Sequence, residues 1–90
     1  MRIITIDGKN IHGKEELHEV LQSKLGLDPS YGRNLDALWD CLTGYVAMPL
    51  TIEWLNFEAS KESLGEYADQ LLELMCEVEE ELEGFTFDLK

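Results

Sequence analysis

The sequence predicts a small α/β domain built in two layers. Three short runs rich in β-branched and aromatic residues, Ile3 to Ile6, Leu50 to Trp54 and Phe85 to Leu89, are separated by stretches with helical periodicity. In the last two runs Leu50, Ile52, Trp54 and Phe85, Phe87, Leu89 alternate with Thr51, Glu53 and Thr86, Asp88, which predicts one buried and one polar sheet face. The 90 residues suffice for one such domain, spanning 1–90, with a single modest core and no repeat or flexible linker. Strand direction stays open at this level. Clean alternation favours an antiparallel sheet, whereas helices between successive strands favour parallel crossovers.

After the first run, the spacing predicts a helix from Lys14 to Leu25, with Leu17, Val20, Leu21 and Leu25 on its inner stripe and Gly26 as its stop. His12 falls in the loop before it, and His18 flanks its stripe as a residue that tunes packing or pH response. A second, shorter helix follows Asn34, whose side chain can accept a first-turn N–H, and ends at Gly44 in the left-handed conformation that glycine adopts cheaply. Met48-Pro49 makes a tight connection into the second strand. Asn56 to Leu64 reads as a short helix or turn. The last helix runs from Glu66 to Leu82, burying Ala68, Leu71, Leu72, Met75, Val78 and Leu82 while Glu73, Glu77, Glu80 and Glu81 point out.

The formal charge of −12 is large for this size and adds self-repulsion to the compact state. It is also uneven. Residues 62–90 carry ten acidic side chains against Lys90 alone, a net of −9, while residues 1–61 carry nine acids and six bases, a net of −3. A nucleic-acid binder needs the opposite, a basic patch that displaces phosphate counterions, so the charge favours a basic protein partner. The apolar run at the N-terminus is too short for a signal peptide and no stretch approaches membrane-spanning length, giving an expectation of a cytoplasmic protein with no membrane contact. Cys41 and Cys76, 35 residues apart with no second metal-ligand pair, fit neither a disulfide scaffold nor a zinc site and are expected as reduced thiols.

The stretch Tyr31-Gly32-Arg33-Asn34-Leu35-Asp36-Ala37-Leu38-Trp39-Asp40-Cys41-Leu42-Thr43-Gly44 carries the functional signal. Leu35, Leu38 and Leu42 follow the i, i+3, i+7 spacing of a buried stripe, leaving Asp36, Trp39, Asp40 and Thr43 on the other side. Asp36 and Asp40 stand one turn apart, where like charges repel and a cationic partner would relieve the strain. Trp39 offers the large rigid contact surface typical of binding hot spots. Two readings follow: a partner-binding helix, or an ordinary surface helix whose tryptophan tucks under a loop. Catalysis is not expected, and no catalytic residue, metal site or cofactor is assigned. Asp36 and Asp40 lack a third ligand at a useful spacing, and nothing places Cys41 beside His12 or His18.

These residues resemble the inhibitory helix of the barstar family, intracellular protein inhibitors of guanyl-preferring bacterial ribonucleases. The resemblance extends to the Gly8 turn, Leu17-His18, Pro49-Leu50, Glu53-Trp54, Phe57-Glu58 and Ser60-Lys61, and the pattern covers nearly all of the chain without a gap. It implies a two-layer barstar-like domain, with a three-stranded parallel sheet and helices packed on one face, and a cis bond at Met48-Pro49. It also implies a monomer that binds a barnase-like ribonuclease 1:1 and protects the producing cell as an immunity protein does.

Residue by residue, the resemblance implies that Asp40 enters the nuclease's cationic cleft in place of a phosphate, with Asp36 supporting it. Trp39, Thr43, Gly44 and Tyr45 would form the packed rim, Tyr45 standing where the family carries tryptophan. Asn34 and Gly32 would shape the preceding loop. Glu77 on the last helix would be a direct contact and Glu81 a more distant charge, with Glu73, Glu79, Glu80 and Glu83 forming a solvated face. Ser30 takes the place of a family contact tyrosine and Ala47 that of a contact glutamate. Tyr31 is the neighbouring ring that could partly replace the missing one. These two departures keep open an alternative, a diverged barstar-like immunity or interaction protein that binds a different basic protein or toxin without inhibiting barnase.

Overall fold

The computed structural model describes residues 2–90. Arg2–Asp7 (β1), Leu50–Leu55 (β2) and Phe85–Leu89 (β3) form one sheet in the order β1-β2-β3, with both pairings parallel. The register stacks the inward residues into rows: Ile4 beside Ile52 beside Phe87, and Ile6 beside Trp54 beside Leu89. Between β1 and β2 come a 3₁₀ turn at Gly8–Asn10 and two helices, Lys14–Leu25 (α1) and Leu35–Gly44 (α2). Phe57–Leu64 (α3) and Glu66–Glu81 (α4) link β2 to β3. No helix among the described residues is long and apolar enough to cross a membrane.

The helices pack on one side of the sheet, as the resemblance implies. Ile4, Ile6, Leu50, Ile52, Trp54 and Phe85 are buried beneath them, whereas Ile3 on the opposite side remains 56% exposed. That opposite face is polar. Thr5 donates from Oγ1 to Glu53 Oε1 at 3.4 Å, and the Lys90 ammonium stands 3.4 Å from Asp88 and 3.9 Å from Glu53. One-sided coverage therefore reconciles the two strand signals: the alternation follows from burial of a single face, and the crossover helices set the parallel direction.

Trp54 anchors the centre. It is fully buried, meets Phe57 edge-on at 5.9 Å between ring centroids, and donates from Nε1 to Ser60 Oγ at 3.0 Å, satisfying its one polar group. Gly8 lies against the same place, where an added Cβ would collide with the Asn56 carbonyl oxygen and with Ser60 Oγ. Asn56 itself is left-handed (φ 54°) and donates from Nδ2 to Asp7 Oδ1 at 2.9 Å, tying the ends of β1 and β2 together. That bond, with a second from the Lys9 N–H, holds the Asp7 carboxyl below its ordinary range.

Several expectations change. Gly26 does adopt the left-handed conformation (φ 66°), but Gly44 is the last residue of α2. The turn closes instead through the N–H groups of Tyr45 and Val46, which both donate to the Cys41 carbonyl, at 2.9 and 2.8 Å. Val20, Leu72 and Leu82 are only partly buried, and Leu74, absent from the predicted stripe, is buried. α4 touches α2 and α3 as well as β3, so it buries a wider arc than one stripe. Leu89, on the inward row, is 48% exposed because it ends an edge strand. Met48-Pro49 is cis, as the resemblance implies, and both cysteines are free thiols as expected, Cys41 half-buried and Cys76 exposed.

His18 is the other departure, being 1% exposed rather than flanking. Its Nδ1 lies 2.7 Å from the Tyr31 hydroxyl and its Nε2 2.7 Å from the Tyr67 hydroxyl, so one ring joins α1, the α1–α2 loop and α4. Burial, and next the Arg33 charge, push its pKa below the ordinary 6.5.

Two outcomes are expected. Gly8→Ala should destabilise by about 1–3 kcal/mol, because backbone at Asn56 must shift, and urea unfolding reads the loss. As pH falls below about 6.5 the unfolded chain takes up a proton at His18 before the folded chain does. Stability is therefore complete above that value and declines below it toward the lower folded-state pKa. The urea midpoint should drop across this window, and His18→Gln should flatten the drop.

Candidate partner-binding surface

α2 is held by local chemistry at its start. Asn34 is extended (φ −145°), and its Oδ1 accepts the Ala37 N–H at 2.8 Å while its Nδ2 donates to the Gly32 carbonyl at 3.3 Å. The residue before it, Arg33, is left-handed (φ 54°), a conformation that costs a non-glycine residue roughly 1–2 kcal/mol. Its guanidinium donates to Gln22 Oε1 at 3.4 Å. Farther back, Asp28 Oδ1 accepts both the Ser30 N–H at 2.8 Å and the Ser30 hydroxyl at 2.7 Å, bonds that hold its carboxyl below the usual range. The Tyr31 N–H donates to the Asp28 carbonyl at 2.9 Å, and this tight turn sends the Tyr31 ring inward to His18.

Leu38 and Leu42 are buried and Leu35 is half-buried, so the opposite face of α2 turns to solvent with Asp36 and Asp40 exposed. Trp39 lies between them, half-buried and packed on the core; its carbonyl accepts the Thr43 hydroxyl at 2.8 Å. Tyr45 just beyond is 63% exposed. α4 packs beside α2 and carries Glu77 and Glu81, both exposed. Among the described residues the ion pairs lie elsewhere, around Lys90, and the His12 ring contacts Glu16, leaving Asp36, Asp40, Glu77 and Glu81 with no internal cation.

Between the 28–32 loop and α2 opens a hollow of about 400 Å³. Of the predicted residues it brings together Tyr31, Gly32, Asp40, Gly44 and Tyr45. Asp36, Trp39 and Thr43 lie on α2 outside it, Asn34 serves as the cap, and Glu77 and Glu81 belong to the neighbouring helix. Ser30, at the place of a family contact tyrosine, lines the hollow too, and so do Asp28, Ala37 and Cys41, which no motif singles out as site residues. The Asp-Pro-Ser turn signature points to Asp28 as a turn residue. Tyr31 is 7% exposed with its hydroxyl bonded to His18, so it offers a partner the wall of the hollow rather than a projecting ring.

Chemically, the surface presents fixed negative charge, aromatic area and an open recess. A recess of roughly 150 Å³ can hold a benzene ring, so this one has room for a partner's side chain. The Cys41 thiol is pushed up by burial, then by the Asp40 charge, which keeps it protonated and unreactive. Among the described residues no three His, Cys, Asp or Glu side chains are placed to share a metal ion.

Comparison with known proteins adds two findings. The protein-family model described as Barstar (barnase inhibitor) matches residues 1–90. A Bacillus subtilis (strain 168) protein named "Putative ribonuclease inhibitor YrdF" is 55% identical over 82 residues, covering 91% of this chain and 90% of that protein.

The cap gives a local test. Asn34→Ala should lower stability by about 1 kcal/mol and speed amide exchange in the first turn of α2, where the Ala37 N–H loses its acceptor. The same variant should leave exchange in β2 changed only by the global loss.

Proposed function

Because the chain belongs to the barstar family, we propose that it binds a basic, guanyl-preferring ribonuclease one to one and blocks its active site with α2 and the preceding loop. The family acts by inhibition, and the chain is not an enzyme. The observation that carries the specific reading is the exposed Asp36–Asp40 pair, without an internal cation among the described residues, on a capped helix beside an open hollow. An enzyme that cleaves RNA surrounds its phosphate with cations, and a carboxylate on a rigid helix can take the place of that phosphate.

In this reading Asp40 receives charge-assisted hydrogen bonds from the nuclease, and Asp36 adds charge one turn earlier. Trp39, Thr43, Gly44 and Tyr45 pack around them and exclude water, which strengthens those bonds. Glu77 reaches the partner from α4, and Glu81 with the rest of the C-terminal acidity contributes a field that speeds encounter. The free inhibitor is a monomer in the cytoplasm, where it guards the producing cell's RNA. A second reading, a different basic protein or toxin as partner, draws support from the hollow beside Ser30 and from the exposed Ala47, both at positions where the family pattern places contact side chains.

Titration of a barnase-like ribonuclease, followed by RNA cleavage, tests this. Complete inhibition is expected at one equivalent. Asp40→Ala should weaken binding by about 2–5 kcal/mol, roughly 30- to 5,000-fold, a range that the barnase–barstar complex itself helped to define. The association rate should fall steeply with added salt. Trp39→Ala should also weaken inhibition, and normal inhibition by both variants would place the interface elsewhere.

A further inference from the structure

The Tyr31–His18–Tyr67 chain has an internal logic that selects one tautomer. A neutral imidazole has one N–H and one lone pair, so one tyrosine hydroxyl must donate to the ring and the other must accept from it. Tyr31 is buried and its hydroxyl has no second partner among the described residues, so its proton is best satisfied by donating to Nδ1. Tyr67 is half-buried, and its hydroxyl can accept from Nε2–H while sending its own proton to water. The geometry thus favours a proton on Nε2 and a lone pair on Nδ1.

Protonation of this ring reverses one bond. Nδ1 then carries an N–H that meets the Tyr31 hydroxyl, which must turn its own proton away and lose His18 as acceptor, its partner among the described residues. Among the described residues no neighbouring anion compensates. The groups facing the network are Arg33 from the loop, Lys14 of α1, whose ammonium lies 4.6 Å from the Tyr67 ring centroid, and on α2 the Cys41 thiol near Tyr31. Tyr67 is the α4 contribution. The bond that protonation disturbs belongs to Tyr31, which also walls the hollow beside Asp40.

We propose that His18 is a positioning residue for the partner-facing surface: neutral and protonated at Nε2, it fastens Tyr31 and the 28–32 loop, and a second proton at Nδ1 loosens that wall. That the wall faces a ribonuclease rests on the reading above; the latch itself does not. Partner binding and protonation of His18 then oppose each other, since the partner needs the fastened loop.

The test starts with wild-type protein labelled with ¹⁵N. Near pH 8 the ring spectrum should show a pyridine-type Nδ1 and a pyrrole-type Nε2, and on acidification the Tyr31 and Gly32 amides should shift with the His18 midpoint. Tyr31→Phe should raise that midpoint, because the donor that stabilises the neutral ring is gone. Tyr67→Phe should move it less, since Nε2–H is present in both charge states. Against a barnase-like ribonuclease, the ratio of wild-type to His18→Gln affinity should fall by at least about fivefold, the lower end of ordinary coupling, between one pH unit above and one pH unit below the His18 midpoint that the spectra report. The nuclease's own titrations cancel in that ratio. An Nδ1–H tautomer near pH 8, loop amides that follow another midpoint, or an unchanged midpoint in Tyr31→Phe would overturn the latch. If no ribonuclease is inhibited at any pH, the functional reading fails while the spectra still decide the latch.

Discussion

Two parallel crossovers in succession are the constraint from which the rest of this structure follows. A parallel strand pair requires a crossover, and such crossovers are almost always right-handed. With strand order β1-β2-β3, two right-handed crossovers advance in the same direction and lay their helices on the same face. The other face carries no helix, which is why Thr5 is exposed between buried Ile4 and Ile6 and Thr86 is exposed beside buried Phe85, although Thr51 at the centre of that face is buried. The same constraint sets α2, from the first crossover, beside α4, from the second. An acidic surface spanning residues 36 to 81 exists because of that adjacency.

The charge distribution opposes folding rather than serving it. A net charge of −12 on 90 residues opposes compaction, and the carboxylates of α2 and the outer side of α4 have no internal cations among the described residues. Stability comes instead from an apolar core centred on Trp54 and from satisfied buried polar groups; no buried side-chain polar atom among the described residues lacks a hydrogen bond. Exposed charge of this kind contributes little to folding and much to the rate and selectivity of association.

Rigidity at the surface is produced by several short-range devices acting on one loop. Asp28 holds Ser30, Asn34 caps α2, Arg33 accepts a left-handed backbone, and His18 takes the Tyr31 hydroxyl. Together they fix the position of the hollow relative to Asp40. The Ser30 side chain folds back on Asp28, and the space beside it is open.

Read alone, the sequence determined the local and periodic features. The helix start at Asn34, the stop at Gly26, the alternation in β2 and β3 and the acidic-aromatic outer face of α2 are each written within a few residues, because caps, glycine conformation and side-chain period are short-range physics. Strand direction, the burial of His18 and Leu74, the close of α2 and the hollow were decided by tertiary structure. His18 reads as a polar residue beside an apolar stripe, and only the approach of Tyr31 and Tyr67, 13 and 49 residues away, satisfies both ring nitrogens and lets it enter the core. Likewise the hollow is a space between a loop and a helix, and an empty volume has no residue of its own to announce it in the chain.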